Sequence, residues 1–148
     1  IGLGIPAEPL FRSMGMEGYA FEQVCLHHIP QIKKKLGISG ILSNVCTWSY
    51  RGATDIENDQ LAGAQIDLII DRGDKTINLC EMKFVNQPYV ISSNYVMWLI
   101  KRRELFKQVT GTRKTIHLTM VTSYGVEHNA AWQNIQSEVT MDDLFQIE

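Results

Sequence analysis

Apolar residues recur every three or four positions in the first part of the chain, and this spacing predicts a helix from about Glu17. At about 100° per residue, the apolar positions fall in one arc. Pro30 has no backbone donor, so it either kinks this helix or begins a second helical segment, and Gly37 is typical of a helix end. The arc consists of Phe21, Val24, Cys25, His28, Ile29, Ile32 and Leu36.

The centre of the chain has the pattern of a β-hairpin preceded by one more strand. Ile41–Tyr50 is predicted to form the first strand, and a polar loop follows from Arg51 to about Gly63. Ala64–Asp71 and Thr76–Phe84 are apolar segments on either side of the turn-rich sequence RGDK. These two segments are therefore expected to pair as antiparallel neighbours.

A second helix and a further strand complete the predicted sheet. Ser92–Thr110 has a helical pattern, and Thr115–Ser123 is rich in β-prone residues. A short extended piece and an acidic turn near Asp142–Phe145 follow. The order helix, strand, strand, strand, helix, strand predicts an α/β fold with a mixed sheet, in which a crossover connection brings the last strand beside the others.

Length and composition indicate one domain of ordinary globular character at 1–148, with 45% hydrophobic and 20% charged residues. Residues 1–15 contain prolines and glycines and are expected to be an irregular leader. No apolar run reaches the roughly 20 residues of a membrane span, and no signal peptide opens the chain, so no membrane partner is expected. The three cysteines lack metal-binding spacing, which indicates a reduced, cytoplasmic protein. The first residue is not Met, as in a fragment or a processed protein, and the oligomeric state stays open.

Positive charge is concentrated in two places, although the net charge is −2. One basic cluster lies at 33–35, and the other is spread over Lys101–Lys114. Such clusters are compatible with a polyanionic substrate, and solvated helix surfaces explain them equally well. On the first interpretation, Arg102 and Arg103 are candidates for contact with substrate phosphates.

Two acids and a lysine interrupt the apolar strands of the predicted hairpin. Because side chains alternate along a strand, Glu81 and Lys83 project from one face. A five-residue loop places Asp67 directly opposite Glu81, and a three-residue loop makes them diagonal neighbours. A four-residue loop separates them unless a bulge intervenes. Gln65 shares the face of Asp67 and is a candidate for contact with substrate or solvent.

The same residues suit divalent-metal chemistry. Carboxylates placed close together repel each other unless a cation neutralises them, and Mg²⁺ or Mn²⁺ takes oxygen ligands, often carboxylates together with water and phosphate. Asp67, Glu81 and the backbone carbonyl of Met82 are the candidate ligands. Lys83 is placed to orient water or to stabilise charge at phosphorus. The alternative is a weak cross-strand ion pair.

Glu22 lies inside the apolar arc of the first helix, between Leu26 and Ile29 on the helical wheel. A carboxylate in that position costs free energy unless it is paired or bound to a metal. Glu22 is therefore a candidate assisting acid, and the alternative is a side chain that reaches solvent at the edge of the helix.

The order of these elements and acids resembles the PD-(D/E)XK nuclease superfamily. A helix with an inward Glu, a strand with Asp, a strand with Glu-x-Lys, and then a helix and a strand follow its restriction-endonuclease-like core. The resemblance implies Asp67 and Glu81 as metal ligands, Lys83 as the catalytic lysine and Glu22 as the auxiliary acid. The proline that names the motif is replaced by Ile66.

Nearly the whole chain is also similar to the C-terminal nuclease-like region of bacterial AAA-type ATPases. The similarity rests on 18–22, 28–32, 63–72, 77–84 and 110–114. In that family a P-loop ATPase precedes this region, but no Gly-x4-Gly-Lys-Ser/Thr sequence occurs here. The resemblance therefore implies either an ATPase domain in cis within a longer polypeptide or a free-standing relative.

The function expected from the residues and the resemblance is metal-dependent hydrolysis of phosphodiesters in nucleic acid, with DNA as the expected substrate. The competing hypothesis is a non-catalytic nuclease-fold module that binds DNA or protein and is attached to an AAA-type ATPase.

Overall fold

A computed structural model describes residues 7–52 and 62–146 of the chain. Most of the predicted polar loop lies outside the described residues, at 53–61. The helices are α1 (Ala7–Leu26), α2 (Ile29–Lys35), α3 (Ser93–Thr110) and α4 (Met141–Leu144), with a 3-10 turn at Ala130–Asn134. The strands are β1 (Ser43–Gly52), β2 (Ala62–Arg72), β3 (Thr76–Lys83), β4 (Thr115–Thr122) and β5 (Ser137–Thr140).

The five strands form one mixed sheet in the order β1-β2-β3-β4-β5. The β1–β2 and β2–β3 pairs are antiparallel, and the β3–β4 and β4–β5 pairs are parallel. Helix α3 is the crossover connection between β3 and β4, as predicted. The α/β class and the mixed sheet are confirmed. The predicted order of elements is incomplete, because the short extended piece is a fifth strand in the sheet.

The predicted irregular leader at 1–15 is wrong for residues 7–15, which belong to α1; residues 1–6 lie outside the described part of the chain. The physical reason lies in Pro9, which falls in the first turn of the helix. The amide groups of a first turn have no partner within the helix, so proline is tolerated there and does not exclude a helical start.

Of the two alternatives for Pro30, the second is observed. Helix α1 ends at Leu26, and α2 begins at Ile29 with Pro30 in its first turn. Gly37 follows α2 with a φ of 75°, in the left-handed region that glycine adopts at low cost. In the described ranges, none of the helices has both the length and the apolar character that crossing a bilayer requires.

Each face of the sheet carries its own apolar core. Helices α1, α2 and α4 cover one face, and α3 with the 3-10 turn covers the other. We call these the α1-side and the α3-side cores. The α1-side core includes Phe21, Cys25, Ile32, Leu68, Ile70, Cys80, Met82, Val121 and Leu144. The α3-side core includes Ile66, Ile69, Leu79, Ile91, Leu99, Phe106, Leu118 and Met120.

A row of hydrogen-bonded polar side chains crosses four neighbouring strands. Arg72 Nη1 donates to Asn78 Oδ1 at 3.0 Å, and Asn78 Nδ2 donates to Thr119 Oγ1 at 2.9 Å. The hydroxyl groups of Thr119 and Ser137 lie 2.8 Å apart. Asn78 and Thr119 are each 1% exposed, so losing one partner would leave a dehydrated polar group unpaired. The row therefore fixes the mutual register of β2 to β5.

Replacing Gly63 by alanine tests how closely β1 and β2 approach each other. A Cβ at Gly63 would lie 2.7 Å from the carbonyl oxygen of Tyr50, so the two backbones would have to separate. We expect Gly63→Ala to lower the free energy of unfolding by about 1–3 kcal/mol in urea denaturation. The control is Gly40→Ala, whose Cβ would meet nothing within 4 Å. Equal stability of the two variants would contradict the close approach.

Candidate functional site

The candidate acids lie where the pairing of β2 and β3 stops. The ladder runs from Asp71 and Ile77 to Leu68 and Cys80. This is the register of the five-residue loop, and Asp67 and Glu81 are the next residues beyond its last pair. The two acids therefore occupy equivalent positions on adjacent strands, at the point where the strands are no longer held together by backbone hydrogen bonds.

A bulge interrupts the regular alternation of β2 at the same point. Ile66 and Ile69 both pack in the α3-side core, whereas Leu68 packs in the α1-side core. The register between β1 and β2 shifts between Cys46 and Trp48. An extra residue in one strand re-aims the side chains beside it. The orientation of Asp67 is therefore not given by counting alternate residues from Ile70.

Asp67 is half-buried and has one polar partner in the described structure. Its Oδ1 accepts a hydrogen bond of 2.7 Å from Gln65 Nε2. Gln65 is exposed, so it can orient Asp67 from the surface, and its contact with a substrate stays a prediction.

Glu22 reaches this cluster from α1, where it is half-buried. The pKa of Glu22 is raised from 4.5 to about 7. Loss of water around the carboxyl group is the largest cause, and the negative charges of Asp67 and Glu81 also contribute. Lys83 acts in the opposite direction. Glu22 is thus placed among the predicted site residues, and it titrates close to neutral pH.

Glu81 faces the α3 side of the sheet and contacts the helix. Its side chain is 20% exposed, and its Oε2 lies 3.9 Å from Nη2 of Arg102. Burial raises the pKa of Glu81, and Asp67 adds to this, whereas the positive charges of Arg102 and Lys83 oppose it. Arg102 and Lys83 therefore offset part of the cost of burying the charged form of this carboxylate.

Lys83 lies two residues further along β3, on the same side. Its Nζ is 4.8 Å from the centroid of the Tyr95 ring, which is close enough for a cation–π contact. Burial lowers the pKa of Lys83, while Glu81 and Glu22 favour its charged form. The ammonium group therefore lies over an aromatic face of α3, and its charge is favoured by Glu81 on the same strand and by Glu22 on α1.

Arg102 is not one of the solvated helix charges expected for its cluster. The residue is 7% exposed, and its guanidinium carbon lies 4.2 Å from the centroid of the Trp98 ring. Its Nε and Nη2 atoms are buried, and so is the hydroxyl of Tyr95; among the residues that the structure describes, these atoms have no hydrogen-bond partner. Tyr95, Trp98 and Arg102 recur at helical spacing on the inner face of α3, and this spacing was the sequence signal for a buried arginine.

Arg103 does not belong to the cluster of acids. Its Nε lies 2.9 Å from Oε2 of Glu104 on the same helix, and its side chain is 26% exposed. Met82, between Glu81 and Lys83, turns its side chain into the α1-side core. The structure therefore brings Glu22, Asp67, Glu81, Lys83 and Arg102 together and leaves Arg103 outside.

The acids of the cluster are oxygen donors, which hard divalent cations prefer as ligands. The carboxylates of Glu22, Asp67 and Glu81 supply oxygen atoms, and a cation among them would relieve their mutual repulsion. In the part of the chain that the structure describes, no three His, Cys, Asp or Glu side chains are grouped closely enough to form a metal cage. Mg²⁺ does not require such a cage, because it often uses one or two carboxylates with water and phosphate. The donor chemistry fits this open kind of site.

The raised pKa of Glu22 predicts a pH-dependent stability difference between the wild type and Glu22→Gln. Its pKa is about 7 in the folded chain against 4.5 otherwise, so folding favours the protonated acid, and this advantage is lost as the pH rises through 7. Because Glu22 is half-buried, we expect Glu22→Gln to gain about 1–2 kcal/mol over the wild type between pH 5 and pH 8 in urea denaturation. Glu17→Gln, at an exposed acid of the same helix, is the control. Parallel profiles of the wild type and Glu22→Gln would refute the placement of Glu22.

The comparisons with known proteins establish only the fold. No protein-family model matches the sequence, and no curated protein matches it either. Among solved structures, the crystal structure of AF1548, a protein of unknown function, is similar with a TM-score of 0.50 and 16% sequence identity. The match covers 84% of this chain and 64% of AF1548. At that identity the likeness extends to the α/β fold with its mixed sheet.

Proposed function

We propose that this chain hydrolyses phosphodiester bonds of nucleic acid, with DNA as the substrate, at a metal-dependent site of the PD-(D/E)XK type. One observation carries the proposal: the charges of Asp67, Glu81 and Lys83 all act on the Glu22 carboxyl group, at the open end of the β2–β3 ladder. Three acids and one lysine in a partly dehydrated cluster cost folding free energy, and this cost is typical of a functional site.

Asp67 and Glu81 would hold the divalent cation, Mg²⁺ or Mn²⁺, and the backbone carbonyl of Met82 would be a further ligand. When bound, such an ion polarises the scissile phosphate and makes water a better nucleophile. Gln65 keeps the Asp67 carboxylate oriented through its hydrogen bond. Glu22 is ionised in only part of the molecules near neutral pH, so it can accept or hold a proton beside the other two acids.

Lys83 supplies positive charge at the point where negative charge develops on phosphorus. Contact with the Tyr95 ring limits the positions of its ammonium group, and the negative charges of Glu81 and Glu22 favour its charged form. A donor already held in place loses little reorganisation energy during the reaction, so its effect on the transition state is large. The lowered pKa of Lys83 comes first from burial, which is the same dehydration that strengthens its electrostatic effect.

The second candidate function is nucleic-acid binding without hydrolysis, as a nuclease-fold module that serves an AAA-type ATPase. One observation favours it: Glu81 faces Arg102 at 3.9 Å, so an internal cation already neutralises this acid. Hydrolysis would require the metal ion to share or displace that partner. The proposed ATPase domain in cis rests on the resemblance of the sequence.

Lys83→Ala tests the hydrolytic function directly. Removal of a donor that stabilises transition-state charge lowers kcat by about 100- to 1000-fold in comparable sites. We expect the wild type to cleave plasmid or single-stranded DNA with Mg²⁺ or Mn²⁺ and Lys83→Ala to lose cleavage by this factor. Lys101→Ala, at an exposed lysine of α3, is the control.

Circular dichroism and urea denaturation would show that Lys83→Ala retains the fold. Equal cleavage rates of Lys83→Ala and the wild type would refute the role of Lys83. DNA binding by the wild type without cleavage under any divalent ion would support the second function.

A further inference from the structure

A basic groove lies at the end of α3 that is distant from the acids. It has a volume of about 590 Å³ and is formed by the last turns of α3, the connection to β4 and the start of β4. Its lining includes Arg103, Lys107, Thr112, Arg113, Lys114 and Ile116. We call it the α3–β4 groove.

The cations of the α3–β4 groove differ in their partners. Arg103 pairs with Glu104, and Lys114 Nζ donates to Asp71 Oδ1 and to the backbone carbonyl of Arg72. Lys107 and Arg113 are exposed, and neither forms an ion pair with any of the residues that the structure describes. The groove therefore has an excess of positive charge, and two of its cations are available to a ligand.

The connection that forms the floor of the groove is held by local hydrogen bonds. Gly111 ends α3 with a φ of 67°, and the amide of Lys114 donates to Thr112 Oγ1 at 3.1 Å. Lys114 is anchored to the β2 side by its two contacts. Cations on a fixed turn lose less conformational freedom on binding than cations on a flexible segment.

We propose that the α3–β4 groove binds the sugar–phosphate backbone of the nucleic acid through Lys107 and Arg113. An open groove with spaced cations fits a chain of phosphates, since each phosphate can meet one cation while the sugars and bases extend into solvent. This inference deepens the proposed function and rests on it for the identity of the polyanion. Residues 110–114 contribute to this groove and not to the cluster of acids.

The position of the groove determines which step of the reaction it affects. β3 and β4 pair in parallel from Thr76 and Thr115 at the groove end to Lys83 and Thr122 at the site end. At about 3.3 Å per residue, seven steps separate the two ends by about 23 Å. Lys107 and Arg113 belong to the groove end, so we expect them to contribute to binding and KM while kcat stays unchanged.

The test is the binding of a fluorescein-labelled 20-base-pair duplex by anisotropy in EDTA, over a series of salt concentrations. The variant is Lys107→Gln with Arg113→Gln, and the control is Lys33→Gln with Lys101→Gln, which removes the same charge outside the groove. Two lost phosphate contacts should weaken binding about tenfold at low salt and reduce the salt slope by about 2. The control should change the slope by less than half as much. Urea denaturation would check both folds, because Lys107 also offsets the helix dipole in the last turn of α3.

The outcomes separate this inference from the proposed hydrolysis. If the groove variant binds the duplex more weakly and with a smaller salt slope, the result supports nucleic-acid binding by the groove. This holds even if the wild type never cleaves DNA. If the wild type cleaves DNA and the groove variant binds like the control, nucleic-acid binding by the groove is refuted. The proposed hydrolysis is then unaffected. Absence of duplex binding by the wild type overturns the groove as well. In a cleaving wild type, the groove variant should raise KM about tenfold at unchanged kcat.

Discussion

The placement of charge on a buried strand is the constraint on which the site depends. β3 is the middle strand of the sheet, with an apolar core on each face. Glu81 and Lys83 carry ionisable groups in this setting, and burial disfavours the charged form of each. This cost is offset in part from α3, which supplies the guanidinium of Arg102 and the ring of Tyr95. The docking of α3 and the ionisation of the site are therefore coupled.

The topology followed from the sequence because periodicity and turn chemistry agreed. Two apolar segments with a turn-rich sequence between them predicted the hairpin, and the helical pattern of Ser92–Thr110 predicted the crossover connection to the last strand. The N-cap at Ser92 and the left-handed Gly111 bound that helix where expected. The start of α1 was missed because Pro9 was interpreted as a sign of irregular chain, although a first turn accepts proline. The strand β5 was missed in the order of elements because Ser137–Thr140 has four residues, too few for a periodic pattern.

The sequence predicted which residues lie in the candidate site, but it predicted their orientation only in part. The positions of Glu22, Asp67, Glu81 and Lys83 followed from one arc and one register. The bulge beside Asp67 depends on how β1 pairs with β2, and no local pattern in β2 reports that pairing. Arg102 was interpreted as a surface charge because its neighbours Lys101 and Arg103 are polar. Its helical spacing with Trp98 indicated burial, but the contact with Glu81 is tertiary, and a single sequence does not display it.

The polar row across β2 to β5 fixes the register of the sheet more strictly than an all-apolar face would. Apolar side chains can exchange neighbours with a modest change in free energy, whereas Arg72, Asn78, Thr119 and Ser137 each require one particular partner. A strand that slid by one residue would lose these bonds together. We therefore expect insertions in the surface connections between these strands to leave the pairing of β2 to β5 unchanged.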